Sequence, residues 1–369
     1  MRELQQKYAT SHITIVGALN LLERDGVIDK RQGSGCYVRR PLEAPAASDS
    51  KLIAFVTPDE TELMIRLYSG IEQVCHAAGY NLLIANSRHD YDVEHRRVLE
   101  LIAAGCQGII MEPVARTRQQ MRQDYLNSEA SDLPIIVVDI AFPEQHRTQI
   151  LFDNYQAGYD MTDLLIAQGH RRIAFMQVAG QCTGEGGCPR VMHRSNYDRY
   201  QGYRDALANA RLVARDEDRW ALSDHWPARE LVEAVLPCLF RWRDMPQGDR
   251  PTAVIAIEDL SAVYAIQVAR QLGIDVPGQL AFVGFDDLQI GRSTHPAFPT
   301  GVPDFRAAGR LAAQLVLRQI HGNPTLEPST YVLPVPVIVR EDLMDADLLN
   351  SSSALFGSPP APNNGGGEF

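Results

Sequence analysis

LAFVGFD, residues 280–286, is a short apolar run closed by an aspartate. No polar residue alternates within it, so it predicts a strand buried on both faces, with a carboxylate where the strand ends. Six further runs share this character: LIAFVTP (52–58), NLLIANS (81–87), QGIIMEP (107–113), PIIVVDI (134–140), RIAFMQV (172–178) and AVIAI (253–257). Segments with helical spacing lie between them, among them LMIRLYSGIEQVCHAAG (63–79), LSAVYAIQVARQLG (260–273) and RAAGRLAAQLVLRQIHG (306–322). Strand and helix in alternation predict an α/β fold of doubly wound parallel sheets. The segment from 51 to 340 exceeds one comfortable core, so two lobes are expected.

Other regions differ in composition. PLEAPAASDS (41–50) is rich in Pro, Ala and Ser and reads as a linker. Residues 341–369 end in SSSALFGSPPAPNNGGGEF and are expected to be disordered. Residues 1–40 form the remaining, N-terminal domain. They carry seven Lys and Arg against four Asp and Glu, a net +3, whereas the rest of the chain carries −14. A basic head on an acidic body suggests that only the head meets a polyanion.

No apolar run approaches a membrane span, and residues 1–30 lack a signal-peptide layout, so a cytoplasmic protein without a membrane partner is expected. Four of the six cysteines (36, 75, 106 and 238) lie in apolar strand-like or helix-like segments, as reduced core thiols would. The other two flank CTGEGGC (182–188), with His193 nearby. That set is too loose for a zinc site, so neither metal nor cofactor is expected.

Within the head, residues 2–9 read as a short helix. Thr10 or Ser11 caps a second one, with Ile15, Ala18, Leu19 and Leu22 on a single face, and Gly26 ends it. VIDKR and CYVRR flank QGSG (32–35) as a hairpin. Helix, turn, helix and a two-stranded wing make the winged helix-turn-helix arrangement. RELQQKYATSHITIVGALNLLERDGVIDKRQGSGCYV (2–38) resembles the DNA-binding domain of GntR-type regulators. That fold has a further helix before the first one seen here, so the head is expected to be incomplete, or its true start to lie upstream. The resemblance implies that Arg2 contacts the DNA backbone or a base near it. It places Ser11 and Thr14 at the recognition-helix N-terminus, where hydroxyls and free N–H groups bind phosphate. Gln32 and Gly33 would enter the minor groove at the wing tip, beside Arg31. His12 and Val16 stand where the family usually has arginine. Valine can touch a thymine methyl but makes no bidentate guanine contact, so either an unusual operator or weaker binding is expected.

The body resembles the effector domain of the lactose/galactose-repressor family, itself similar to periplasmic sugar-binding proteins. The likeness is carried by IIMEPV (109–114), LFDNYQAGYDMTDLLIAQGHRRIAF (151–175), RYQGYRDAL (199–207), DLSAVYAI (259–266) and VPGQLAFVGFDD (276–287). A GntR-type head on such a body is the arrangement of arabinose-responsive repressors. The resemblance implies a ligand between the lobes at the carboxyl ends of the strands. It assigns Asp153, Arg199 and Asp286 to that ligand, the carboxylates accepting from sugar hydroxyls and the guanidinium donating in a fork. Trp226, or in its place Trp220, would stack on a sugar ring. Leu63, Met64 and Leu67 would line the first lobe's side, although ordinary helix packing accounts for them equally well. Glu258 stands where the family often has asparagine and changes the polarity of the pocket.

The chain is therefore expected to be a sugar-responsive transcriptional regulator, a repressor by preference, acting as a homodimer on operator DNA. The alternative is a small-molecule-binding protein whose shortened head no longer reads DNA. No nucleophile elbow, H-E-x-x-H or Rossmann glycine triad is present, so no enzyme is expected.

Overall fold

The computed structural model describes residues 10–24, 28–31, 35–38, 51–114, 116–117, 120, 124–130, 133–140, 147–178, 190–191, 194–222, 228–322 and 328–340. The head, within residues 1–50, and the body are separate compact units.

In the head, helix α1 (His12–Arg24) precedes the antiparallel pair β1 (Ile28–Arg31) and β2 (Gly35–Val38), with Ile28 opposite Val38 and Arg31 opposite Gly35. Of the two candidate caps, Ser11 serves: its Oγ accepts from Thr14 N at 3.2 Å and lies 2.8 Å from Thr14 Oγ1. Ile15 and Ile28 are buried, Val16 and Leu19 half-buried, and Ala18 and Leu22 exposed. The expected stripe is thus covered at its Ile15 end and open at Leu22. Val16, which the resemblance places at the DNA, is partly covered. Cys36, expected among core thiols, is exposed on β2, whereas Cys75 and Cys106 are buried. The predicted helix over 2–9, the linker, the CTGEGGC pair and the tail lie outside the described residues.

In the body, the first lobe opens with β3 (Leu52–Thr57), α2 (Glu62–Ala77), β4 (Asn81–Asn86), α3 (Tyr91–Ala103) and β5 (Gly108–Met111). It continues through β6 (Arg116–Thr117), α4 (Tyr125–Ser128), β7 (Ile135–Val138) and β8 (Thr148–Phe152). The second lobe follows with α5 (Asn154–Ala167), β9 (Ile173–Val178), β10 (Arg190–Val191), α6 (Arg194–Asn209), β11 (Arg219–Leu222) and α7 (Ala228–Asp244). Then come β12 (Ala253–Ile255), α8 (Asp259–Gln271), β13 (Ala281–Phe285), α9 (Gln289–Arg292) and β14 (Thr300–Gly301). The chain then returns to the first lobe for α10 (Phe305–Ile320) and β15 (Thr330–Leu333), and ends in the second with β16 (Val337–Ile338). Each lobe has one six-stranded sheet, β15-β8-β7-β5-β3-β4 and β11-β9-β12-β13-β14-β16. All pairings within them are parallel except β14 with β16. The predicted parallel α/β architecture with two lobes is what forms.

Strand alternation divides each core. Ile53 and Phe55 of β3 face the layer of α2 and α10, while Ala54 and Val56 face that of α3 and α4. In the second lobe Ile173 and Phe175 face α5 and α6, and Ala174 and Met176 face α7 and α8. One helix pair in each lobe crosses through glycine. A Cβ on Gly70 of α2 would fall 2.1 Å from Arg306 O at the start of α10, and one on Gly309 would fall 2.2 Å from Leu67 O. In the second lobe the same relation joins α5 and α6: Gly158 would meet Arg199 O, and Gly202 would meet Tyr155 O, both at 2.1 Å. Only glycine allows backbones to approach this closely.

Among the described residues, three segments cross between the lobes. Asp153 N donates to Leu333 O at 2.8 Å, and Val302 N donates to Pro336 O at 2.8 Å, so the crossings run side by side.

Candidate functional site

In a parallel sheet the loops that follow the strands gather at one edge, and the two sheets here turn those edges toward each other across the crossings. Arg199, in the second turn of α6, is the best-anchored side chain there. Its Nε donates to Asn154 Oδ1 at 2.8 Å, Nη1 to Ile257 O at 2.8 Å, and Nη2 to Asp286 Oδ1 at 3.2 Å. Its guanidinium lies 4.1 Å from the ring centre of Phe285. The fork thereby ties α5, the end of β12 and the end of β13 into one unit. Gly158 and Gly202 let α6 approach α5 closely enough to permit this.

Asp286 and Asp287 both follow β13 with left-handed backbone, at φ of 87° and 48°. Such a conformation costs a non-glycine residue about 1–3 kcal/mol and persists only where neighbours impose it. Asp286 N donates to Gly301 O at 2.7 Å, and Leu288 N to Asp259 Oδ2 at 2.9 Å. Asp259 is fully buried and also accepts from Thr300 Oγ1 at 2.6 Å. Burial raises its carboxyl to about 6, against the pull of Thr300 and Arg340. Burial works on Asp287 too, but Arg292 and Arg340 outweigh it and hold that carboxyl below its ordinary value.

Glu258 begins α8, with its main-chain N–H donating to Ser261 Oγ at 3.1 Å. Burial first, then repulsion from Asp286, pushes its carboxyl up to about 8, despite nearby Arg199. Asp286 is raised as well, by burial that Arg199 only partly offsets. In the first lobe Glu112, just after β5, is pushed well above the usual carboxylate range by burial and by Asp139 and Asp59. Asp59 also repels Glu258 from across the gap. Carboxyls from both lobes therefore face one space.

Of the residues expected at a ligand, Arg199, Asp286 and Glu258 meet here. Asp153 caps α5, its Oδ1 accepting from Gln156 N at 3.0 Å, so part of its carboxylate is committed to the helix end. Leu67 has no exposed surface and packs in the first-lobe core with Met64, which leaves neither a face for a ligand. Leu63 packs partly buried against the same core. Trp220 is 2% exposed, in the core between β11 and α7, and cannot stack on a ligand. Trp226 lies outside the described residues. In the head, Ser11, His12 and Thr14 are exposed at the start of α1, whereas Arg2, Gln32, Gly33 and the Arg31 side chain lie outside the described residues.

Several residues of the site were not anticipated. Asn154 follows Asp153 directly in the quoted FDNYQAG, and a buried amide after a strand end was the available signal. Arg66 of α2 reaches across to Asp286 and Asp287 through their main-chain carbonyls, an interaction that leaves no sequence pattern. Asp59, Glu112 and Asp139 each lie within two residues after a first-lobe strand, as Asp286 follows β13, and the same strand-end logic would have found them.

Residues 162–341 match the family of periplasmic binding protein-like domains. The arabinose metabolism transcriptional repressor of Geobacillus stearothermophilus is 27% identical over 342 residues, 92% of this chain and 89% of that protein. The ribose operon repressor of Haemophilus influenzae is 28% identical over 288 residues, 78% and 79% of the two chains. Among solved structures, the complex of the transcriptional regulator CelR with cellobiose superposes with a TM-score of 0.65 at 23% identity, covering 90% of this chain and 91% of that one. The body thus has the periplasmic-binding-protein-like fold, and the chain is similar over most of its length to bacterial transcriptional repressors.

Proposed function

We propose that this protein is an effector-responsive transcriptional repressor that binds operator DNA through residues 1–40 and a sugar in the cleft between its lobes. The observation that carries the reading is the Arg199–Asp286–Asn154 constellation. A buried guanidinium fixed among strand ends supplies preorganised donors, and the Asp286 and Asn154 side-chain oxygens beside it supply acceptors, of the kind that hydroxyl-rich ligands need. The capped α1 and the β1–β2 hairpin support a GntR-type winged helix, with Ser11, His12, Thr14 and Val16 at the DNA and Arg2, Arg31, Gln32 and Gly33 completing the contact. The basic head and acidic body fit a protein that offers one end to a polyanion.

A homodimer follows from the symmetry of operators, since two heads must meet two half-sites. Effector binding then favours one closure of the lobes and shifts the spacing of the heads, through its differential affinity for the two states. The names of the similar repressors point to arabinose or ribose as the first sugars to try.

A mobility-shift assay with the DNA upstream of the protein's own gene, with and without pentoses and hexoses, tests this function. A retarded complex at low salt that a sugar releases is the expected result. Absence of any shift at low salt, where phosphate contacts are strongest, overturns it.

A further inference from the structure

Helix α6 buries one stripe: Asn196, Arg199, Tyr200, Tyr203, Ala206 and Leu207. Five of these have an evident reason to be inside. Tyr203, for example, donates from its hydroxyl to Ile173 O at 2.8 Å, and Arg199 holds the strand ends together. Asn196 does not share this: it is 4% exposed, and among the described residues neither Oδ1 nor Nδ2 has a hydrogen-bond partner. Leaving a buried amide unmatched is expensive, and folded proteins rarely tolerate it without a use.

Its place in the fold suggests the use. α6 connects β9 to the parallel strand β11, so its first turn lies at the carboxyl ends of the strands, on the cleft side. Asn196 is in that turn, three residues before Arg199 and on the same face. Around the same cleft stand carboxyls from both lobes, Asp59 and Glu112 from the first and Glu258 and Asp286 from the second. The Arg199 guanidinium gives one N–H from each nitrogen to Asn154, Ile257 O and Asp286, which leaves one donor on each Nη for a ligand.

We propose that Asn196 is a ligand-reading residue of the interlobe cleft. Its side-chain amide donates to one hydroxyl and accepts from another on a neutral polyol, and burial in a cleft lined by carboxyls disfavours ligands that carry a carboxylate or phosphate. This rests on the effector site proposed above and narrows its ligand class. An amide supplies one acceptor and two donors side by side, which matches a vicinal diol, in which each hydroxyl both gives and takes a hydrogen bond. An anionic ligand would instead bury its charge beside those carboxyls with the Arg199 guanidinium already paired to Asp286.

The experiment uses the full chain, with Asn196→Leu as a near-isosteric apolar replacement and Asn196→Ala as a smaller one. Ligand-free melting comes first. Removing an unmatched buried amide raises the Tm of Asn196→Leu by about 2–4 °C. A Tm below wild type for both variants means the amide serves the fold, and overturns the proposal whatever the ligand. Calorimetry then uses arabinose, ribose, glucose and cellobiose beside ribose 5-phosphate and glucuronate. The neutral sugar that binds wild type is expected to lose about 10- to 100-fold in affinity in both variants. Ribose 5-phosphate and glucuronate are expected to bind at least about tenfold more weakly than ribose and glucose. Unchanged sugar affinity in the variants, or an anionic sugar bound as tightly as its neutral parent, overturns the assignment. A wild type that binds none of the six defeats the sugar reading itself, while the ligand-free melting still decides the role of the amide.

Discussion

Arg66 of α2, in the first lobe, donates from Nη1 to the main-chain carbonyl of Asp286, in the second, at 3.0 Å. Its Nη2 reaches the carbonyl of Asp287 and the carboxylate of Glu62, whose other oxygen accepts from Gln289 N at 3.0 Å. One turn of α2 is thus clasped to the turn that carries the ligand-site aspartate. These contacts join the two lobes in the arrangement seen, so they favour that arrangement over any in which the lobes separate.

Arg66→Ala removes the clasp without touching a side chain of the site. Each charge-assisted bond to a carbonyl contributes about 1.5 kcal/mol at the lower end of the usual range. Effector affinity is therefore expected to fall about tenfold, and small-angle scattering to show a larger radius of gyration. Unchanged scattering and affinity would mean that closure is held elsewhere.

The glycine crossings make a paired prediction. Gly158→Ala places a methyl 2.1 Å from Arg199 O, so α5 and α6 must separate and Arg199 must move with them. Overpacking of this kind costs about 1–3 kcal/mol, and here it lowers effector affinity as well as Tm. Gly309→Ala makes the same intrusion in the first lobe, against Leu67 O of α2 rather than against Arg199, and should lower Tm more than affinity. Melting and calorimetry on both variants compare the two effects, and equal losses of affinity would separate Gly158 from the positioning of Arg199.

The parallel sheets were legible because their strands are buried on both faces: runs such as LAFVGFD have no other stable reading. GHRRIAF and VPGQLAFVGFDD carried the effector-domain likeness, and Arg199 and Asp286 came with it. The return of α10 and β15 to the first lobe was not legible. Sheet order is decided by which edges meet in three dimensions, and nothing in RAAGRLAAQ or TYVL states it. Trp220 failed as a stacking platform because composition distinguishes aromatic residues but not the layer they fall in. Asn196 was invisible for a related reason: an amide in a helical stripe reads as an interruption until its burial is known.

Asp286→Ala leaves Arg199 with its guanidinium buried and without its ion-pair partner among the described residues. The variant is expected to lose about 2 kcal/mol or more of stability, less than a full buried pair because burial already raises Asp286. It should also lose effector-induced thermal stabilisation while retaining DNA binding, since the head is a separate unit. A melting curve that still shifts with sugar rules out Asp286 as a ligand contact.

Glu258 gives the pH dependence. Its carboxyl titrates at about 8 in the folded chain and near 4.5 when unfolded, because burial and Asp286 disfavour its charge while Arg199 only partly compensates. Between those values the folded state holds a proton that the unfolded state has released, so raising the pH draws the chain toward unfolding. The contribution is fully present below about 4.5, is lost as pH rises toward 8, and changes no further above that. Asp259, raised to about 6, adds to the slope in the lower part of the window. Wild-type Tm is therefore expected to fall from pH 5 to pH 8. Glu258→Gln keeps the shape of the protonated side chain without the proton to lose, so its Tm should fall less steeply and exceed that of wild type at pH 8. Parallel Tm–pH profiles for the two proteins would place the titrating group elsewhere.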